Sequence, residues 1–180
     1  MTIYFDKEHN AYGDEASIVG KDIVFTCDDA LWQDFNNNPN KYIWENDKIV
    51  ITPDYDLILL QQAKENKIKE NDLKRDETLN GGVLYKDVLF DSDTDQKVNL
   101  LATVSSIDDE QTIVWYGMDN QPLTCTKEDL INIGGLITSL HSFCWNKNAE
   151  IKTEIADCLT VDEVKAIEIN YEQAEEREVE

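Results

Sequence analysis

The sequence predicts an α+β fold: a small N-terminal β-rich module, a helical connector, and a C-terminal module of short antiparallel strands packed with helices. Three observations carry this. Apolar and polar residues alternate in short runs over the first fifty positions, with polar turns between them. A charged, helix-forming stretch with neither Gly nor Pro then runs from Asp54 to Asn80. After Gly81-Gly82 the pattern returns to strand-like pairs, now interleaved with capped helical stripes.

In chain order, TIYF at 2–5, DIVFT at 22–26, KYIWE at 41–45 and KIVIT at 48–52 read as strands. Asn46-Asp47 tolerates positive φ, so the last two form a hairpin. Between them and the earlier strands, DDALWQDFNNNPN offers Asp28 or Asp29 as an N-cap and Leu31, Trp32 and Phe35 at helical spacing, and it ends in Asn and Pro. The connector keeps only Ala63, Ile68, Leu73 and Leu79 as apolar positions after Leu60, which is too sparse for a sustained heptad seam. Self-association through it stays open.

The second module begins with VLYKDVLFD, whose Val83, Tyr85, Val88 and Phe90 supply apolar surface. SDTDQKVNLLATVSSI follows as a helix, with Asp91, Asp93 or Thr94 as caps and a stripe of Val98, Leu101 and Val104 expected to face a sheet. TIVWYG and PLTCT form a hairpin across Met118-Asp119-Asn120-Gln121. The longest helix starts after Thr126, capped with Asp129, and carries Leu130, Ile133, Ile137, Leu140 and Cys144 on one side. A last short helix opens at the capping box Thr160-Val161-Asp162-Glu163. The expected organisation is therefore 1–53 as the β-rich module, 54–80 as connector, 81–168 as the C-terminal module, and 169–180 as an acidic tail too poor in apolar residues to order.

Composition narrows the function. Apolar residues make up 41% and charged residues 30% of 180, which is ordinary globular usage. Sixteen Lys and Arg against 38 Asp and Glu leave a formal charge of −22, which repels a phosphate backbone, so no nucleic acid is expected as partner. No run of 18 apolar residues exists and the start MTIYFDKEHN lacks signal-peptide order, so neither membrane insertion nor export by that route is expected. Cys27, Cys125, Cys144 and Cys158 stand singly, without a C-x-x-C pair, and read as reduced and mostly buried.

Candidate chemistry is sparse. His141 and Cys144 lie three apart on one helix, but a tetrahedral zinc site needs two further ligands. A buried thiol beside a core histidine is the favoured reading, and no metal is assigned. Asp91-Ser92-Asp93-Thr94-Asp95 imitates the start of a calcium loop yet lacks its Gly and its bidentate Glu, so it reads as a capped turn. The acidic pairs Asp28-Asp29, Asp108-Asp109 and Glu175-Glu176 are taken as solvated surface rather than acid-base machinery, which would need two carboxyls in different environments. There is no nucleophile elbow, phosphate loop or H-E-x-x-H helix. No catalytic residue, cofactor site or enzyme activity is expected. Trp32, Trp44, Trp115 and Trp145 are spread through both halves and read as core anchors. Gly134-Gly135 within the long helix points to a close packing approach or a kink.

Two segments resemble known families. The opening MTIYFDKEHNAYG, followed by the DDALWQDF helix and a strand pair, resembles bacteriophage tail fibre assembly proteins. The stretch from KRDETLNGGVLY to LTVDEV resembles a C-terminal domain of unknown function common in phage tail proteins. The likeness of the second lies in Arg75 before the Gly81-Gly82-Val83 strand, the turn Phe90 to Asp93, Trp115 before the Asp119 turn, and His141 on the long helix. Together the two cover about residues 1 to 60 and 75 to 168, and the chain departs from the tail fibre assembly family in its C-terminal half. The resemblance implies a non-catalytic protein that binds a phage tail fibre or another tail protein. Its implied location is the host cytoplasm during assembly, or the virion tail. The implied roles are fibre-assembly chaperone and structural component of the virion.

Overall fold

A computed structural model describes residues 2–6, 11–13 and 23–172. The chain divides into two compact units, Met1–Leu59 and Leu60–Glu180. The fold is α+β, with every strand pair antiparallel.

In the first unit, β1 (Thr2–Asp6) lies between β2 (Ala11–Gly13) and β3 (Ile23–Thr26). β4 (Tyr42–Glu45) and β5 (Lys48–Ile51) make a separate hairpin. Its turn residues Asn46 and Asp47 have φ of 50° and 60°, the left-handed conformation that Asn and Asp tolerate best after Gly. Helix α1 (Asp29–Asn37) is capped by Asp28, whose carboxylate accepts from Leu31 N at 2.8 Å. The core is aromatic: Ile3, Phe5, Phe35 and Tyr42 are buried, and Phe25, Leu31, Trp32 and Trp44 pack against them. Phe5 meets Phe35 edge-on with centroids 5.9 Å apart, and Trp44 lies 5.8 Å from both Phe5 and Phe25.

Helix α2 (Tyr55–Asn80) forms where a connector is expected, but from Leu60 onward it belongs to the second unit. Ile68 and Leu79 pack against that unit's core and Asn71 is fully buried, while Leu73 stays 64% exposed. The sparse apolar positions of α2 fall one per turn or fewer on its inner side, so the helix docks through a few residues rather than a seam.

Hairpin β6 (Val83–Tyr85) and β7 (Val88–Phe90) turns at Lys86 and Asp87, both with positive φ. Helix α3 (Thr94–Ser106) follows, capped by Asp93, which accepts from Gln96 N at 2.7 Å. The run Asp91 to Asp95 is thus a capped turn. The apolar stripe of α3 is shifted from expectation: Leu100 is buried and Val104 partly so, whereas Val98 and Leu101 are 60% and 69% exposed. The helix packs on the long helix rather than on a sheet, and Leu100, Val104 and Ile107 are the residues that meet it at i, i+4, i+7 spacing.

Strands β8 (Thr112–Tyr116) and β9 (Pro122–Thr126) pair in register from Thr112 opposite Thr126 to Tyr116 opposite Pro122. Gly117 beside this hairpin leaves no room for a side chain, since a Cβ there would lie 2.5 Å from the Leu89 carbonyl oxygen and 2.6 Å from Val88 Cγ1. Helix α4 (Lys127–Asp157) then runs for 31 residues, well beyond Cys144. Its buried positions, among them Leu130, Ile133, Ile137, Leu140, Cys144, Ile151 and Ile155, form one stripe against β6, β9 and α3. The pair Gly134-Gly135 has open space where a Cβ would stand, so no close approach explains these glycines. Helix α5 (Val161–Ala166) carries the expected capping box of Thr160 and Glu163.

Candidate functional site

The stretch after α5 alternates strictly: Ile167, Ile169 and Tyr171 point inward, while Glu168, Asn170 and Glu172 face solvent. Ile167 and Ile169 pack on the core of the second unit and Tyr171 is 4% exposed. The expectation of an unordered tail from 169 therefore fails through Glu172, because three apolar side chains at period two bury enough surface to offset ordering. Residues 173–180, including Glu175 and Glu176, lie outside the described residues.

A chain of polar contacts fastens this segment. Tyr171 Oη donates to Asn71 Oδ1 at 2.7 Å, Asn71 Nδ2 donates to the Asn148 carbonyl at 3.1 Å, and Asn148 Nδ2 donates to Asp72 Oδ1 at 3.0 Å. Asp72 also accepts from Lys152 Nζ at 2.7 Å and Arg75 Nη1 at 3.1 Å. Burial pushes the Asp72 carboxyl up, but hydrogen bonds from Lys152 and Asn148 outweigh it and hold the group below the usual carboxylate range. Burial pushes the Tyr171 phenol up, which keeps it a proton donor to Asn71. The buried amides are thus satisfied, as burial requires. The Tyr171 ring also meets Phe143 of α4 edge-on, with centroids 6.5 Å apart.

Held in this way, α5 and the segment after it form an open groove of about 870 Å³ with the C-terminal half of α4. Phe143 and Ile167, each packed on the core, contribute its apolar lining together with Ala166. Around them stand Glu150, Glu154, Glu168 and Glu172, against one lysine, Lys147. Lys147 approaches Glu150 at 3.5 Å, a weak exposed pair. Glu163 is occupied as a cap, accepting from Leu159 N and Thr160 N. Among the described residues no cation pairs with Glu154, Glu168 or Glu172.

A second exposed feature lies on the hairpins. Leu84 and Leu89 are opposite one another in the β6–β7 register and are 64% and 37% exposed. Val114 and Tyr116 of β8 are also exposed.

The residues singled out in the sequence are distributed as follows. His141 Nε2 donates to the Ser92 carbonyl at 2.7 Å, so its ring nitrogen ties α4 to the start of α3. Cys144 is fully buried in the core, and burial raises its thiol. The two do not make a ligand pair, and among the described residues no group of three or more His, Cys, Asp or Glu is placed to hold a metal ion. Arg75 and Trp145 come together instead, with the guanidinium 4.3 Å from the ring centroid. Trp145 is 54% exposed, so it is a surface platform for Arg75 and not a core anchor. Trp115 is partly buried and its Nε1 finds no acceptor among the described residues. Asp108 and Asp109 are exposed on the loop before β8, and Asp109 pairs with Lys127 at 2.9 Å. Asp28 and Asp29 are the cap and first turn of α1. Among the described residues no helix is long and apolar enough to cross a membrane.

Sequence reasoning missed Asn71, Asn148, Phe143 and Tyr171. Two signals were legible: an Asn at position 148 within an otherwise apolar stripe, and the period-two alternation of Ile167, Ile169 and Tyr171.

A family model described as a domain of unknown function, DUF4376, matches residues 62–172. No curated protein and no solved structure matches the chain.

Proposed function

We propose that this chain, which belongs to the DUF4376 family, acts by binding another protein, as a phage tail fibre assembly chaperone or fibre-associated tail protein. The observation that carries a binding role is the groove, where Phe143 and Ile167 lie beside three carboxylates that pair with no cation among the described residues. Apolar surface ringed by unpaired like charge suits a complementary protein surface better than a small neutral molecule. The assignment to a phage tail comes from the resemblance of both sequence segments to tail proteins. In this reading the chain has no catalytic centre of its own.

Co-expression with a phage tail fibre protein tests the chaperone role. Soluble, trimeric fibre is expected to increase, and fibre that folds equally well without the chain would rule that role out. The division into two units favours a second reading, a structural component of the virion that docks by one unit and displays the other. Mass spectrometry of purified particles decides it, since a structural component must be present there.

A further inference from the structure

We propose that the groove between α4 and the segment 163–172 is a peptide-acceptor site for a Lys- or Arg-bearing partner segment with apolar side chains between its charges. This inference rests on the protein-binding reading above and names the chemistry of the partner.

Three features define the occupant. The groove is open to solvent, so it admits an extended or helical segment of a protein without enclosing it. Its apolar lining, Phe143 and Ile167, is anchored on the core and is already shaped by the Tyr171 contacts, so little ordering is needed when a side chain docks. Glu154, Glu168 and Glu172 stand around that lining and pair with no cation among the described residues, in a chain of −22 net charge. A cationic partner meets these carboxylates with charge of the opposite sign. An acidic or neutral segment gains nothing from these groups, and nucleic acid is repelled by them.

The probe is an amidated peptide of alternating Lys and Leu, with a Glu-Leu peptide and a Ser-Leu peptide as comparisons, titrated into the full chain at low salt. The Lys-Leu peptide is expected to bind, to shift amide resonances of residues 143–172, and to weaken as salt screens the carboxylates. The variant E154Q/E168Q is expected to bind it about fivefold more weakly, as loss of two exposed ion pairs implies. The control D108N/E110Q removes the same charge from the loop before β8 and is expected to bind as wild type does. Equal weakening by the two variants, equal binding of the Ser-Leu peptide, or resonance shifts elsewhere would each overturn the proposal. So would a tail protein that co-purifies equally with wild type and E154Q/E168Q, although the tail reading would then stand. If no tail protein binds but the Lys-Leu peptide still occupies the groove, the acceptor site stands and the tail reading falls.

Discussion

At the residue scale the best-connected carboxylate is Asp129, at the start of α4. It accepts from Lys86 Nζ at 2.6 Å and Tyr85 Oη at 2.7 Å through one oxygen, and from Thr126 N and Oγ1, each at 2.9 Å, through the other. The Lys86 ammonium, then the Thr126 amide, hold its carboxyl far below the ordinary range. A depressed folded-state value means that the stabilisation is complete above the unfolded-state value near 4 and is lost as pH falls below it. Asp129→Ala is therefore expected to cost about 2 kcal/mol in urea denaturation at neutral pH, through the lost cap and charged hydrogen bonds. That difference should shrink below about pH 4, and a constant difference across the acid range would contradict the assignment. Asp34 of the first unit is a parallel case: Lys41 at 2.6 Å lowers it to about 2, with help from Tyr42 and Asn38. The Thr126–Asp129 spacing made the cap legible in the sequence. Its partners Tyr85 and Lys86 were not, because they come from a hairpin more than forty residues away.

At the element scale the helices divide sharply. Helix α4 carries so many apolar residues that its stripe and its cap agree, and its existence follows from the sequence. Helix α3 holds Val98, Leu100, Leu101 and Val104 within seven positions, which supports two registers differing by one residue. Packing on α4 selects the one led by Leu100. Leu100→Ala should lower stability by about 3 kcal/mol, the cost of a core Leu cavity, whereas Leu101→Ala should change it by less than about 0.5 kcal/mol. Equal losses in thermal or chemical denaturation would return the stripe to its expected register. The segment 167–172 shows the converse difficulty. Its two isoleucines and tyrosine are outnumbered by surrounding charges, and the partners that hold Tyr171, the buried Asn71–Asn148 pair and Phe143, come from distant helices.

At the scale of the molecule, the second unit contains its own core, its own buried polar network and the whole of the family match. Residues 60–172 expressed alone are expected to unfold in one cooperative denaturant transition, with far-UV circular dichroism and tryptophan fluorescence coinciding. A gradual, non-coincident loss would show that the unit depends on the preceding residues. That α2 packs on the second core is not legible in the sequence for a physical reason: the helix is mostly charged, and its docking depends on Ile68, Asn71 and Leu79, too few to mark it as docked. The acidity has an analogous limit. The count of charges gives the net −22, but it does not say where the carboxylates gather.

The sequence by itself determined the α+β class, the hairpin turns at Asn46-Asp47 and Asp119-Asn120, and the caps at Thr126 and Thr160, and it narrowed the α1 cap to Asp28 or Asp29. Each of these is written in residues a few positions apart, where φ preference and capping bonds act locally. Only the tertiary structure decided which face of α3 is inner, that α2 and Tyr171 belong to the second core, and that Glu154, Glu168 and Phe143 meet in one groove. These depend on contacts between elements distant in the chain, where a single buried residue outweighs the charge pattern around it.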